Sequence, residues 1–234
     1  MHELTKLGRK YGTDKATTHT FTERVYGPLF EEIKEKPISL LEIGAGKVGG
    51  SSKMWKEYFT QGEIYCMDPF FLPDQEVTLS ELEGLDIHVI RGNQLHREDL
   101  LRCGEACLTG YDYIIDDGAH MPDAIQISLG TLFPFLNSGG FYIVEDLSTA
   151  SRRGHNWEET NVNLDKLDSK GLMKARHVQE HTLEEAFTVL DRAKQWLSKT
   201  LTPTECAYLV ENIQDWTILD DGGRKNNICI IKKK

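Results

Sequence analysis

Two short stretches of this 234-residue chain concentrate groups that can do chemistry together. One is Ile114-Ile115-Asp116-Asp117-Gly118-Ala119-His120 and the other is Ile143-Val144-Glu145-Asp146. Each places carboxylates directly after a run of β-branched residues, the composition of a buried strand. If the two strands are neighbours, their tips lie roughly 5 Å apart. Asp117, Glu145 and Asp146 then come within reach of one another, and three such acids repel unless protonated or neutralised by a cation. An all-oxygen set suits a hard cation, magnesium first, with manganese and calcium as the other candidates. His120, three residues past Asp117, can act as a further ligand or as a general base. With three carboxylates at hand the base role is preferred, because a cation lowers the pKa of a hydroxyl it binds and an imidazole can take the proton.

A second group of residues has the character of a cofactor site. Glu42-Ile43-Gly44-Ala45-Gly46-Lys47-Val48-Gly49-Gly50-Ser51 follows one apolar run and precedes a helical pattern. Glycines in that position let the backbone approach a ligand closely. Asp68 ends the next apolar run, where an acid can accept hydrogen bonds from both ribose hydroxyls of a nucleoside. Asn93-Gln94 ends the third, where side-chain amides can read an adenine edge. These features fit an adenosine-containing cofactor and leave NAD and S-adenosylmethionine both open.

The elements that must carry these residues alternate in type. Apolar runs at 38–43, 63–67, 87–90, 111–115 and 140–144 each end in glycine or polar residues. Helical candidates lie between and after them at 52–59, 122–135 and 183–199, the last with Leu183, Ala186, Phe187, Leu190, Ala193 and Leu197 on one face. Such alternation predicts a parallel, doubly wound α/β sheet. The runs at 216–219 and 227–231 read as a closing hairpin. Five parallel strands plus an antiparallel hairpin outline a Rossmann-like class I methyltransferase fold: a mostly parallel seven-stranded sheet, helices on both faces, in one domain spanning 1–234. Residues 1–36 precede the sheet as a segment expected to cover the cofactor. Residues 148–182 follow the fifth strand at the ligand face and are read as a substrate loop or lid.

At these motifs the chain resembles the metal-dependent sugar O-methyltransferases of macrolide biosynthesis, the mycinamicin and macrocin type, with their cephalosporin-hydroxylase-like relatives. Tyr11-Gly12-Thr13-Asp14-Lys15, His19 and Tyr26 resemble the element ahead of that family's core. Leu41-Glu42-Ile43-Gly44, Gly49-Gly50-Ser51 and Met54-Trp55 resemble its cofactor loop and first helix. Asp116-Asp117-Gly118-Ala119-His120 resembles its Asp-Asp-Gly-Ser-His element, with Ala119 in place of Ser, and Glu145-Asp146 its second acid pair. The resemblance covers roughly residues 8–147. It implies that Asp117, Glu145 and Asp146 bind magnesium, that His120 is the base, and that Thr13, Gly44 and Asp68 contact S-adenosylmethionine. Glu42, Gly46, Ser51, Gln94 and Asp116 complete the candidate cofactor-binding set. Asn93 departs from the family's usual Asp. Members are often homo-oligomers.

Composition narrows the function classes. Lys and Arg number 27 against 37 Asp and Glu, a net charge of −10. An acidic surface argues against non-specific nucleic-acid binding. No apolar run reaches the length of a membrane span, and residues 1–10 are polar. The five cysteines have no zinc-ribbon spacing and read as reduced, which suits a cytoplasmic protein. The leading expectation is methyl transfer from S-adenosylmethionine to a hydroxyl of a deoxyhexose or glycoside, a small-molecule or glycan acceptor. The alternatives are methylation of a catechol or other small phenol, an NAD-dependent oxidoreductase, and a silent binding domain. Clustered acids have no obvious role in the last two.

Overall fold

Every apolar run of the sequence becomes a strand. The computed structural model describes residues 1–70, 75–147, 180–220 and 227–234. Its strands are β1 (Ser39–Ile43), β2 (Glu63–Asp68), β3 (His88–Arg91), β4 (Tyr111–Asp116), β5 (Leu136–Val144), β6 (Ile213–Asp220) and β7 (Asn227–Lys233). They form one sheet in the order β3-β2-β1-β4-β5-β7-β6. The first five are parallel, and β7 runs antiparallel between β5 and β6. The order reverses at β1 and β4, so a crevice opens above their C-terminal ends, where ligands bind in such sheets.

The helices are α1 (Glu3–Tyr11), α2 (Asp14–Thr17), α3 (Gly27–Phe30), α4 (Gly50–Tyr58), α5 (Gln75–Gly84), α6 (Arg97–Ala106), α7 (Pro122–Leu132), α8 (Leu183–Ala193) and α9 (Pro203–Asn212). Side chains alternate across the central strands, as a period of two demands. Leu41, Ile43, Ile114, Tyr142 and Val144 enter one apolar layer, with Leu129, Phe187 and Leu209. Leu40, Tyr113, Ile115 and Ile143 enter the other, with Phe30, Trp55 and Phe59. Both faces are therefore covered.

Three boundaries differ from the sequence reading. The helix expected over 183–199 ends at Ala193, because Lys194 adopts a left-handed backbone with φ 55°. The chain beyond it wraps the buried Glu180 carboxylate, which accepts from Lys199 N at 2.8 Å, Thr200 N at 2.7 Å and Ser198 Oγ at 2.9 Å. The helix expected over 122–135 passes into a 3-10 turn at Phe133–Phe135, where Pro134 cannot continue it. Strand β6 starts at Ile213, earlier than its apolar run, because β7 pairs with it along its length. Residues 148–179 of the expected substrate loop lie outside the described residues. All five cysteines carry free thiols. Among the described residues, no helix is long and apolar enough to cross a membrane.

Candidate active site

Strands β4 and β5 are neighbours in register, with Asp116 opposite Val144. Asp117 and Glu145 are the next residues on each. The hydrogen-bond ladder continues past the strand ends: Asp117 N donates to Ile43 O and Glu145 N to Asp116 O, both at 3.0 Å. Three chain segments are thus locked side by side where the acids emerge.

Asp117, His120 and Asp146 each offer one ligand atom, and these atoms lie within 4.8 Å of one another. His120 Nε2 stands 3.9 Å from both Asp117 Oδ1 and Asp146 Oδ2. His120 and Asp146 reach this position through left-handed backbone, at φ 53° and 56°. Such angles are uncommon outside glycine and gather where a site needs a side chain aimed against local preference. Burial pushes the Asp146 carboxyl up, and His120 opposes that shift. His19, stacked on Phe21, lies 4.0 Å from Asp146 Oδ1.

Glu145 lies deeper. Its side chain is 2% exposed and its Oε1 accepts from Tyr26 Oη and, at 2.9 Å, from Lys15 Nζ. Burial drives the Glu145 carboxyl well above the usual range, with Lys15 pulling the other way. Lys15 also pairs with Asp117 Oδ2 and stands 3.6 Å from Glu42 Oε1. Burial works against its charge, but Asp117, Glu145 and Glu42 outweigh it and hold the ammonium well above the usual lysine range. The sequence reading gave Lys15 and Tyr26 no role; their signal was their place in the motif ahead of the core.

A cavity of about 640 Å³ opens above β1 and β4. Thr13, Gly44, Gly46, Ser51, Asp68, Gln94, Asp117 and His120 all line it. Gly44, with φ 101°, leaves no room for a side chain beside the Asp117 backbone. Asp68 accepts from Ala45 N at 3.0 Å and Phe70 N at 2.8 Å, which ties the loop to the tip of β2. Burial pushes the Asp68 carboxyl up against those hydrogen bonds. The N-terminal segment reaches the cavity through Gly12, Thr13 and Asp14.

Three residues of the candidate cofactor set have partners inside the protein. Glu42 is fully buried and accepts from Ser52 Oγ at 2.6 Å and Trp55 Nε1 at 3.1 Å, which fixes α4 to β1. Asp116 accepts from Gln94 Nε2 at 2.7 and 2.8 Å and from Ser128 Oγ at 2.5 Å. Neither lines the cavity. Gln94 lines it, but its amide nitrogen is on Asp116 and its Oε1 accepts from Ala119 N at 2.8 Å. The amide expected to read adenine therefore braces the turn between Asp117 and His120. The physical reason is shared: a buried polar group must find partners, and these found them inside the protein.

The sequence is 34% identical over 197 residues to the 8-demethyl-8-(2-methoxy-alpha-L-rhamnosyl)-tetracenomycin-C 3'-O-methyltransferase of Streptomyces olivaceus, covering 78% of this chain and 47% of that protein. It is 34% identical over 155 residues to the mycinamicin VI 2''-O-methyltransferase of Micromonospora griseorubida, covering 63% of this chain and 37% of that protein. The chain is a homologue of sugar O-methyltransferases. It spans less than half the length of the curated relatives it matches. The MycE methyltransferase of mycinamycin biosynthesis, solved with Mg, SAH and mycinamycin VI, superposes with a TM-score of 0.70 at 26% identity. That match covers 99% of this chain and 54% of MycE. The expected class I methyltransferase fold is borne out by this homologue and by the strand order. No family model matches.

Proposed function

We propose that this chain carries out metal-assisted methyl transfer from S-adenosylmethionine to a hydroxyl group of a sugar, within a glycosylated small molecule. One observation carries the reading: Asp117 and His120 stand on the wall of the glycine-loop cavity and converge there with Asp146. Hydroxyl, proton acceptor and cofactor pocket then share one place. The homologues support it, since their names describe O-methylation of glycosides and the MycE structure holds Mg and SAH.

The residues fit both groups. Asp117 and Asp146, whose carboxylate oxygens converge with His120 Nε2, would hold a divalent cation. Glu145, on the neighbouring strand tip, is the third acid of the proposal although it stands outside that converging set, and hard oxygen donors suit magnesium. A cation bound there supplies Lewis acidity that makes an acceptor hydroxyl more acidic. His120 Nε2, 3.9 Å from Asp117 Oδ1 and Asp146 Oδ2, takes the hydroxyl proton as the oxygen bonds to the methyl carbon and the carbon–sulfur bond breaks. S-adenosylmethionine supplies a methyl group on a sulfonium, so the leaving side needs no acid. Asp68 accepts from the ribose hydroxyls and Gly44 and Gly46 let the loop backbone close on the cofactor. Thr13 and Ser51 add polar contacts from either side of the cavity.

The test is transfer of labelled methyl from S-adenosylmethionine to rhamnosyl and other deoxyhexosyl glycosides, with catechols as the competing acceptor class. Label in glycosides that disappears with EDTA and returns with magnesium is the expected result. Label in catechols alone, or transfer indifferent to EDTA, would overturn the reading.

A further inference from the structure

Lys15 is the buried group that the proposed chemistry leaves without a task. Its side chain is fully buried, yet it stands at the point where Asp117, Glu145 and Glu42 converge. We propose that Lys15 is the fixed counter-cation of the metal site, a positioning residue that holds Asp117 and Glu145 by one oxygen each and so presents their other oxygens to a divalent cation. The inference deepens the metal-assisted reading and rests on it.

Three observations carry it. The first is the division of each carboxylate. Lys15 takes Oδ2 of Asp117, while Oδ1 of the same group faces His120 at 3.9 Å. On Glu145, Lys15 and Tyr26 converge on the same oxygen, Oε1. In both acids one oxygen is claimed by the protein, and the oxygen left on Asp117, Oδ1, is on the side where His120 and Asp146 converge.

The second is the setting of Lys15. It lies in the short helix α2, where Ala16 packs against Gly8 and Thr22 Oγ1 donates to Lys15 O at 3.3 Å. Its ammonium has no exposed surface, so an arriving cation cannot push it into water without unseating the N-terminal segment. Lys15 can therefore stay in place while a cation is bound, since it contacts only Asp117 Oδ2 and Glu145 Oε1 of the two acids.

The third is the charge. Three acids, Glu42, Asp117 and Glu145, converge on a single ammonium, so carboxylates outnumber the cation that holds them. Without Lys15, acids on adjacent strand tips repel and turn apart, and the cation must gather them itself. Partners behind metal ligands typically change affinity by about tenfold to a hundredfold when removed.

The experiment titrates manganese into the full chain and follows the free-ion EPR signal, so that neither acceptor nor turnover enters. Lys15→Met should weaken manganese binding about tenfold to a hundredfold. S-adenosylmethionine affinity should stay within about twofold, since its contacts lie elsewhere in the cavity. Equal or tighter manganese binding in Lys15→Met overturns the inference, because it makes Lys15 a bystander or a competitor of the ion. A wild-type chain that binds no manganese overturns the metal-assisted reading and this inference with it. If circular dichroism shows Lys15→Met unfolded, Lys15→Met/Glu42→Gln removes a buried acid together with the ammonium, and the same loss is expected. Tyr26→Phe, which keeps Lys15, should weaken manganese binding as well by freeing Glu145. No loss in any variant that folds overturns the proposal.

Discussion

Replacing Gly44 by alanine drives a methyl group into the backbone that carries Asp117. A Cβ at Gly44 would stand 2.8 Å from the Asp117 carbonyl carbon and closer still to its oxygen, where ordinary contact begins at 3.4 Å. The Asp117 backbone must therefore retreat by at least about 0.6 Å at the carbon, the difference between those two distances. Relieving such overpacking costs about 1–3 kcal/mol. The φ of +101° adds about 1–3 kcal/mol for a residue with a Cβ. Together the loss is about 2–6 kcal/mol, a large part of the stability of a domain. A displacement of this size at a reacting group costs about tenfold to a hundredfold in turnover. Gly46→Ala is the control. Its φ is also positive, at 60°, but a Cβ there meets nothing within 4 Å, so only the backbone cost of about 1–2 kcal/mol remains. Urea denaturation measures the two losses, and single-turnover methyl transfer measures the effect on Asp117. Equal stability losses in the two variants, or full turnover in Gly44→Ala, would refute the claim that this glycine exists to let β4 come close.

Three further outcomes follow from the geometry. His120→Ala should lower turnover by about a hundredfold to ten-thousandfold while leaving cofactor affinity unchanged; a matching loss of manganese affinity would make His120 a ligand instead of the base. Gln94→Ala should cost about 1–3 kcal/mol in urea denaturation, since it strips donors from the buried Asp116 and an acceptor from Ala119 N; lost cofactor affinity at unchanged stability would return Gln94 to the adenine site. Glu180 gives the pH signature. Burial pushes its carboxyl up, but hydrogen bonds from Thr200, His181, Lys199 and Ser198 outweigh burial and hold it below its usual value. A depressed folded pKa adds stability that is present above the unfolded value of about 4.3 and fades as pH falls through the folded value. Glu180→Gln should therefore flatten the acid limb of the stability curve below about pH 4.3, and an unchanged limb would show that the carboxylate is not what clamps the 195–200 segment.

Much of this was readable in the chain alone, for identifiable reasons. The runs ending at Ile43, Met67, Ile90, Ile115 and Val144 announced buried parallel strands because such strands are apolar on both faces. The acids at 116–117 and 145–146 announced a strand-tip cluster because two successive buried runs each end in a pair of carboxylates. Gln94, Asp116 and Glu42 were polar residues beside the site whose partners lie 22, 12 and 10 residues away, respectively, at Asp116, Ser128 and Ser52. Spacing says that such a group is polar; it does not say whether its partner is a ligand or the protein. The helix over 183–199 was misjudged at its end because Lys194 turns left-handed while the segment after it closes on Glu180, a contact without local signature.

By itself, the sequence determined the α/β alternation, the class of sheet, the glycine loop after the first strand and the acids at the strand tips, because these follow from local periodicity and from the cost of burying charge. Tertiary structure alone decided how those acids are used. Pairing of β4 with β5 in register set Asp117 beside Glu145. Left-handed backbone at His120 and Asp146 turned both toward Asp117. Most of all, it brought Lys15 across 102 residues of chain to Asp117 and 130 residues to Glu145, which no pattern along the sequence expresses. A buried ammonium held among carboxylates is a property of three segments packed together, and its pairing is strong only once water has been excluded from the ammonium itself.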